Sequence, residues 1–173
     1  MRYPRSRMDL VRIGILQYGF FPSREVYIEY RQKHKATEDP LRRLIAWKCR
    51  VMDVKTVKAG EFVGYGTSYL ANDTMRVASV PVGYAQGYAR GLSNVGRVLV
   101  RGQRVPVVGT VNMNMMMVDV SGVAGVERGD EVVLIGRQGD QEISVASFGE
   151  FSDLLNYELL TRLPEDIPRR VVD

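Results

Sequence analysis

Histidine and cysteine are nearly missing from this chain of 173 residues: His34 and Cys49 occur once each. One cysteine makes no internal disulfide, and one histidine beside it leaves no cluster with zinc-ligand spacing, so no metal site is expected. A Ser-His-Asp or Cys-His arrangement would have to use His34, which stands in a charged, loop-like run. Long apolar runs are also missing. None approaches the ~20 residues of a membrane span, and no charged-then-apolar leader is expected at the start. A reducing, cytoplasmic setting follows as the expectation. What is present, 45% hydrophobic and 25% charged residues, excludes a disordered chain and suffices for one good core, or a core with a short appendage.

The net charge of +4 is unevenly spread. Residues 1–50 hold 12 Lys/Arg against 5 Asp/Glu, and the remainder holds 12 against 15. A basic first third suits phosphate or nucleic acid. Yet Arg2, Arg5, Arg7, Arg24 and Arg31 form no stripe with interleaved aromatics, so a solvated surface is the favoured reading.

Two parts are expected, 1–43 and 44–173. In 10–16, strand parity puts Val11, Ile13 and Ile15 on one face and Arg12 and Gly14 on the other. Pro22-Ser23 ends that strand, and Ser23 caps a helix through Tyr30. Residues 33–40 read as a loop. From about Leu41 the pattern is β-rich: strands at 47–57, 75–82, 97–100, 105–108, 111–120 and 131–135, separated by Gly-bearing turns. Pro81 fits only an edge or a strand end. The phase change at Met115-Met116-Met117 predicts a bulge or bend. One helix is expected within 144–156, with Phe148, Phe151, Leu154 and Leu155 on one face. Many short, closely spaced strands imply a closed or sandwiched antiparallel β domain.

Several short strings stand out. Val63-Gly64-Tyr65-Gly66 places a tyrosine between two glycines, where the backbone turns sharply and the ring projects. Val82-Gly83-Tyr84-Ala85-Gln86-Gly87-Tyr88-Ala89-Arg90 repeats the device beside an arginine. Asn112-Met113-Asn114 offers amides and backbone N–H groups, and Asn156-Tyr157-Glu158 follows the predicted helix. Taken singly, each reads more readily as a turn, a bulge or a helix end than as a site.

As an ordered set, these strings resemble the alanine racemases, pyridoxal-phosphate enzymes. The likeness starts at Met8-Asp9-Leu10-Val11-Arg12-Ile13-Gly14-Ile15, which is similar to the family's last barrel strand. It runs on through Trp47-Lys48-Cys49-Arg50-Val51, Gly60-Glu61-Phe62-Val63-Gly64-Tyr65-Gly66, Pro81-Val82-Gly83-Tyr84-Ala85, Val107-Val108-Gly109, Met113, Val118-Asp119, Gly129-Asp130-Glu131-Val132, Asn156-Tyr157-Glu158 and Pro168-Arg169. The resemblance implies a mainly β fold, with a C-terminal antiparallel β-barrel-like domain and one helix (44–173) preceded by a remnant of a (β/α)8 barrel and its connecting segment (1–43). It implies an isomerase that interconverts L- and D-alanine by two-base proton transfer and supplies D-alanine for peptidoglycan.

The resemblance also implies residue roles. Tyr65 is the catalytic phenol that removes or returns the α-proton on one face of the substrate. Arg12 faces the pyridine nitrogen of pyridoxal 5'-phosphate. Gly14 and Ile15 give backbone N–H donors to its phosphate, and Tyr157 reaches the same phosphate. Met113 receives the substrate carboxylate on its main-chain N–H. Tyr84 and Arg90 narrow the corridor by which substrate arrives. Family members are homodimers in which Tyr65 and Met113 would serve the partner's site, while Arg12, Gly14, Ile15 and Tyr157 serve their own.

Three positions and one stretch depart from the family pattern. Gln86 and Asn114 stand where carboxylates are usual, Thr110 where some members carry a gating arginine, and 24–37 looks longer than usual. No string resembles the one around the family's cofactor-bearing lysine; Lys33, Lys35, Lys48, Lys55 and Lys58 all sit in unrelated contexts. Seven barrel strands and a second carboxylate-binding arginine are likewise outside the chain, so this fragment alone is expected to be inactive. Two other readings stay open: a stand-alone β module for a protein or nucleic-acid partner, the latter disfavoured, and a racemase for another amino acid.

Overall fold

Two units divide the chain, Met1–Ile45 and Ala46–Asp173. The computed structural model describes residues 9–10, 12–35, 37–145 and 156–172, the last stretch without the side chains of 156–158.

In the first unit, the strand expected over 10–16 is not formed. Residues 12–14 are irregular and Ile15–Tyr18 is a 3₁₀ turn. Ile13 is 58% exposed whereas Ile15 is 3% exposed, so they do not share a face as strand parity predicts. An alternating segment becomes a strand only when a neighbour takes its N–H and C=O groups, and no strand of this unit pairs with it among the described residues. The 3₁₀ turn closes on Gly19, whose N–H reaches the Ile15 and Leu16 carbonyls.

Ser23 caps α1 (Arg24–His34) as expected, its hydroxyl accepting from Val26 N–H at 3.4 Å. The helix runs four residues past Tyr30, so His34 belongs to its last turn rather than to a loop. His34 stacks on Tyr30 with ring centres 4.5 Å apart, and Phe21 packs on Tyr27 and Tyr30. The Tyr30–His34 contact, one helical turn apart, supports the extension. The helix also gathers Arg24, Arg31 and Lys35 around Tyr27, with the Arg31 guanidinium 5.8 Å from that ring centre.

The second unit is antiparallel β. Its strands are β1 (Trp47–Arg50), β2 (Asp53–Val57), β3 (Phe62–Val63), β4 (Tyr69–Leu70), β5 (Met75–Val80), β6 (Arg97–Val100), β7 (Gln103–Val108), β8 (Met116–Asp119), β9 (Glu131–Gln138) and β10 (Gln141–Ile143). One sheet runs β1-β9-β6-β7-β8-β5-β2, with β10 also on β9; β3 and β4 form a separate hairpin. The single strand expected over 47–57 is two strands, because the chain changes partners at Val51-Met52: β1 pairs with β9 and β2 with β5. Val51 N–H donates to the Asp130 carbonyl and Met52 N–H to the Ser79 carbonyl, each at 2.9 Å. A sheet whose two end strands share a two-residue link has to curl on itself, which gives the barrel-like closure.

Strand interiors follow from the valine content. Val98, Leu99 and Val100 of β6 and Val132, Val133 and Leu134 of β9 are fully buried, so these central strands are covered on both faces and lose the alternation of a half-buried strand. The run 75–82 ends at Val80, and Pro81 stands just past the strand end, where no ladder bond is asked of it. The strand predicted over 111–120 is regular only from Met116; residues 111–115 form a tight bend. The helix expected within 144–156 falls largely on 146–155, outside the described residues, and with it Phe148, Phe151, Leu154 and Leu155. Asn156, placed after that helix by the sequence reading, lies in a described helical stretch, α2 (Asn156–Arg162), whose Leu159 is buried.

Candidate functional site

The β3–β4 hairpin carries Tyr65. Val63 anchors it in a buried cluster with Ala71, Met75, Val77 and Val108, against which Val57, Tyr69 and Met117 also pack. Between the anchored strands, Gly64 (φ 80°) and Gly66 (φ 75°) adopt left-handed backbone that a side chain would strain. The Tyr65 ring is 78% exposed on the turn between them. A cluster of fixed apolar anchors thus presents one phenol to the outside.

Side-chain bonds then tie this turn to residues 109–113. Gly64 packs against the backbone of Gly109 and Thr110. Thr110 Oγ1 donates to Ser68 Oγ at 2.8 Å, and Ser68 Oγ donates to the Tyr65 carbonyl at 3.4 Å. Asn94 spans the same gap, giving Nδ2 to the Ser68 carbonyl (3.1 Å) and accepting from Gly109 N–H on Oδ1 (2.6 Å). Asn94 holds φ 61°, a backbone state that asparagine tolerates better than most residues.

Residues 109–113 lead to the bend where Met113 sits, 55% exposed. Among the described residues nothing accepts from the Met113 N–H. The loop after β5 docks on this bend: Tyr84 N–H donates to the Asn112 carbonyl (3.0 Å) and Ala85 N–H to the Met113 carbonyl (2.9 Å). Gly83 makes that approach possible, since a Cβ there would collide with both carbonyls. Tyr84 is 41% exposed beside the bend. Arg90 is exposed at the head of a 3₁₀ turn, Arg90–Leu92. That turn is held to the same segment through Ser93, whose Oγ accepts from Val111 N–H at 3.0 Å and donates to the Arg90 carbonyl.

Four residues singled out in the sequence, Tyr65, Met113, Tyr84 and Arg90, are therefore all mounted on one short segment, 109–113. The residues that mount them, Ser68, Ser93, Asn94 and Thr110, carried no sequence signal as a set, because the bonds cross 15 to 42 positions. Tyr88, the second glycine-flanked tyrosine of its string, is buried against Trp47, and burial pushes its phenol well above the usual range. It is a packing residue.

Arg12, Gly14 and Ile15 lie in the first unit. Arg12 is exposed and makes no ion pair among the described residues. Nothing comes within 4 Å of a Cβ built on Gly14, and the turn that starts at Ile15 has no side-chain cap. The Gly14 and Ile15 N–H groups have no acceptor among the described residues. A phosphate oxygen is the type of acceptor such N–H groups suit. The Tyr157 side chain lies outside the described residues.

Residues 44–171 match the family described as alanine racemase, C-terminal domain. The alanine racemase of Halothermothrix orenii is 42% identical over 96% of this chain and 42% of its own length. Among solved structures, the Bacillus anthracis alanine racemase with bound L-Ala-P gives a TM-score of 0.77 at 35% identity, over 88% of this chain and 37% of that one. The Bartonella henselae alanine racemase with covalently bound pyridoxal phosphate gives 0.76 at 30%, over 91% and 40%. The chain spans less than half the length of these relatives.

Proposed function

Because the chain belongs to the alanine racemase family, we propose that it is the C-terminal part of a pyridoxal-phosphate-dependent enzyme that interconverts L- and D-alanine and supplies D-alanine for peptidoglycan. In this reading residues 1–43 are the end of a (β/α)8 barrel with its connection, and 44–173 are the β domain. The observation that carries it is the shared mounting of an exposed Tyr65 and an unbonded Met113 N–H on residues 109–113.

The chain's residues suit the cofactor. Gly14 and Ile15 offer N–H groups to its phosphate, Tyr157 a phenol, and Arg12 a guanidinium to the ring nitrogen. When bound, pyridoxal phosphate supplies an electron sink that weakens the α-C–H bond of the amino acid. Everything else is the work of side chains and backbone. Met113 N–H receives the carboxylate and so sets which way the α-carbon faces. Tyr65 Oη takes or returns the α-proton on one face. A free phenol ionises near ~10, so this role needs positive charge close to the oxygen. A guanidinium offers the ring nitrogen N–H donors and no transferable proton, which leaves the ring a weak sink and limits side reactions. Tyr84 and Arg90 restrict what reaches the site.

None of Lys33, Lys35, Lys48, Lys55 and Lys58 matches the family's cofactor-bearing lysine. Lys48 is spent on Glu131 at 3.1 Å and Lys55 on Asp53 at 3.7 Å. A second copy of the complete enzyme would receive Tyr65 and Met113, which makes a two-fold dimer the working unit. The test is to assay the 173-residue chain with added pyridoxal phosphate, and again joined to the lysine-bearing barrel of the Halothermothrix orenii relative. No racemisation by the first and measurable racemisation by the second is expected. Activity of the chain alone would overturn the missing-lysine argument, and a folded but inactive joined enzyme would overturn the assignment.

A further inference from the structure

The bend that carries Met113 has little to hold it from within. Asn112 N–H donates to the Met115 carbonyl at 2.9 Å, which closes a two-residue tip of Met113 and Asn114, both exposed. An N–H that is to meet a carboxylate has to keep one direction, and a two-residue tip does not guarantee that without outside support.

The support comes from the loop after β5. Tyr84 and Ala85 hold the Asn112 and Met113 carbonyls through their N–H groups. Gln86 adds a side-chain bond. Its Oε1 accepts from Gly83 N–H at 3.0 Å, which fixes its amide so that Nε2 faces Asn114, and Nε2 donates to Asn114 Oδ1 at 3.2 Å. Gln86 is thereby bonded at one end to the residue before Tyr84 and at the other to the residue after Met113.

We propose that the Gln86–Asn114 amide pair is a positioning latch, which fixes the direction of the Met113 N–H and couples it to the loop presenting Tyr84. The proposal rests on the reading of Met113 as the carboxylate receiver. Its chemistry makes a specific pattern. With Gln86→Glu, Oε1 still accepts from Gly83, and Asn114 can turn its NH₂ toward the new carboxylate. With Asn114→Asp, Gln86 Nε2 still donates. With both changes no donor is left between the two groups, and two carboxylates repel at this separation. All four combinations have nearly the same size and shape, so packing alone distinguishes none of them.

The experiment uses the ¹⁵N-labelled 173-residue chain at pH 7, as wild type, Q86E, N114D, Q86E/N114D and Q86M, the last isosteric and unable to donate. Backbone order parameters of Met113 and Asn114 should stay near the ~0.85 of rigid backbone in wild type and both single acid variants, and fall toward ~0.6 in Q86E/N114D and Q86M. Equal order in all five, or loss in the single acid variants too, overturns the latch. The same variants, placed in the alanine-active enzyme described above, give the second readout. The double variant should raise KM for alanine about tenfold with kcat little changed, the mark of lost uniform binding. Order lost at the tip with KM unmoved would keep the latch but overturn the carboxylate role of Met113, so the two failures are told apart.

Discussion

Gly83→Ala is the sharpest perturbation of the geometry. Gly83 has φ −142° and ψ −159°, extended backbone that alanine adopts freely, so no conformational strain is introduced. The whole effect comes from the added methyl, which would overlap the Asn112 and Met113 carbonyl oxygens. Those atoms are backbone and cannot swing aside as a flexible side chain does. Relief requires the 83–86 loop and the 112–115 bend to part. That breaks Tyr84 N–H to Asn112 and Ala85 N–H to Met113, at about 1 kcal/mol each, on top of about 1–3 kcal/mol for overpacking. A loss of about 3–5 kcal/mol is expected in urea unfolding of the 173-residue chain. Gly91→Ala is the control, since nothing lies within 4 Å of its Cβ and its φ is not left-handed; it should unfold within about 0.5 kcal/mol of wild type. A Gly83→Ala midpoint indistinguishable from Gly91→Ala would refute the docking of the loop on the bend.

Further outcomes follow from single groups. The Arg101 guanidinium, and then the Glu127 N–H, hold the Asp130 carboxyl below the usual carboxylate range. That stabilisation is present above the ordinary value near ~3.9 and is lost as pH falls through Asp130's lower folded value. Asp130→Asn should lower the thermal midpoint at pH 7, with the gap to wild type closing as pH falls below the ordinary carboxylate value; a gap independent of pH would contradict the pairing. Burial pushes the Cys49 thiol up to about 12, so at pH 8 roughly one molecule in ten thousand carries thiolate. Cys49, half-buried in the native chain, should react with a disulfide reagent far more slowly before unfolding than after it, and equal rates would contradict the raised value. Ser23→Ala removes a long cap bond of 3.4 Å and should cost α1 about 0.5–1 kcal/mol, read as faster hydrogen exchange in its first turn; unchanged exchange would mean the cap contributes nothing.

Local pattern made much of the β unit legible. Residues 97–100 and 131–135 stand out as valine-rich runs between glycine turns, and both are strands because their neighbours bury them on both sides. The break at Val51-Met52 was not legible, since both halves favour strand and only the distant partners β9 and β5 dictate the switch. For the same reason 10–16 misleads: its alternation is genuine, but among the described residues no strand pairs with it. At the site, Gly64 and Gly66 announced an exposed Tyr65. Gln86 and Asn114 were visible as departures from a family pattern, but their bond to each other spans 28 positions and appears only in three dimensions.

In the proposed enzyme the Tyr65 hydroxyl exchanges a proton with alanine held over a cofactor bound elsewhere. Solvent deuterium uptake at the α-carbon measures it directly, with Tyr65→Phe compared against wild type in the joined enzyme and each enantiomer supplied separately. Uptake from one enantiomer should collapse by orders of magnitude while the other still exchanges through the opposite base. Wild-type uptake from both enantiomers would remove Tyr65 from the chemistry.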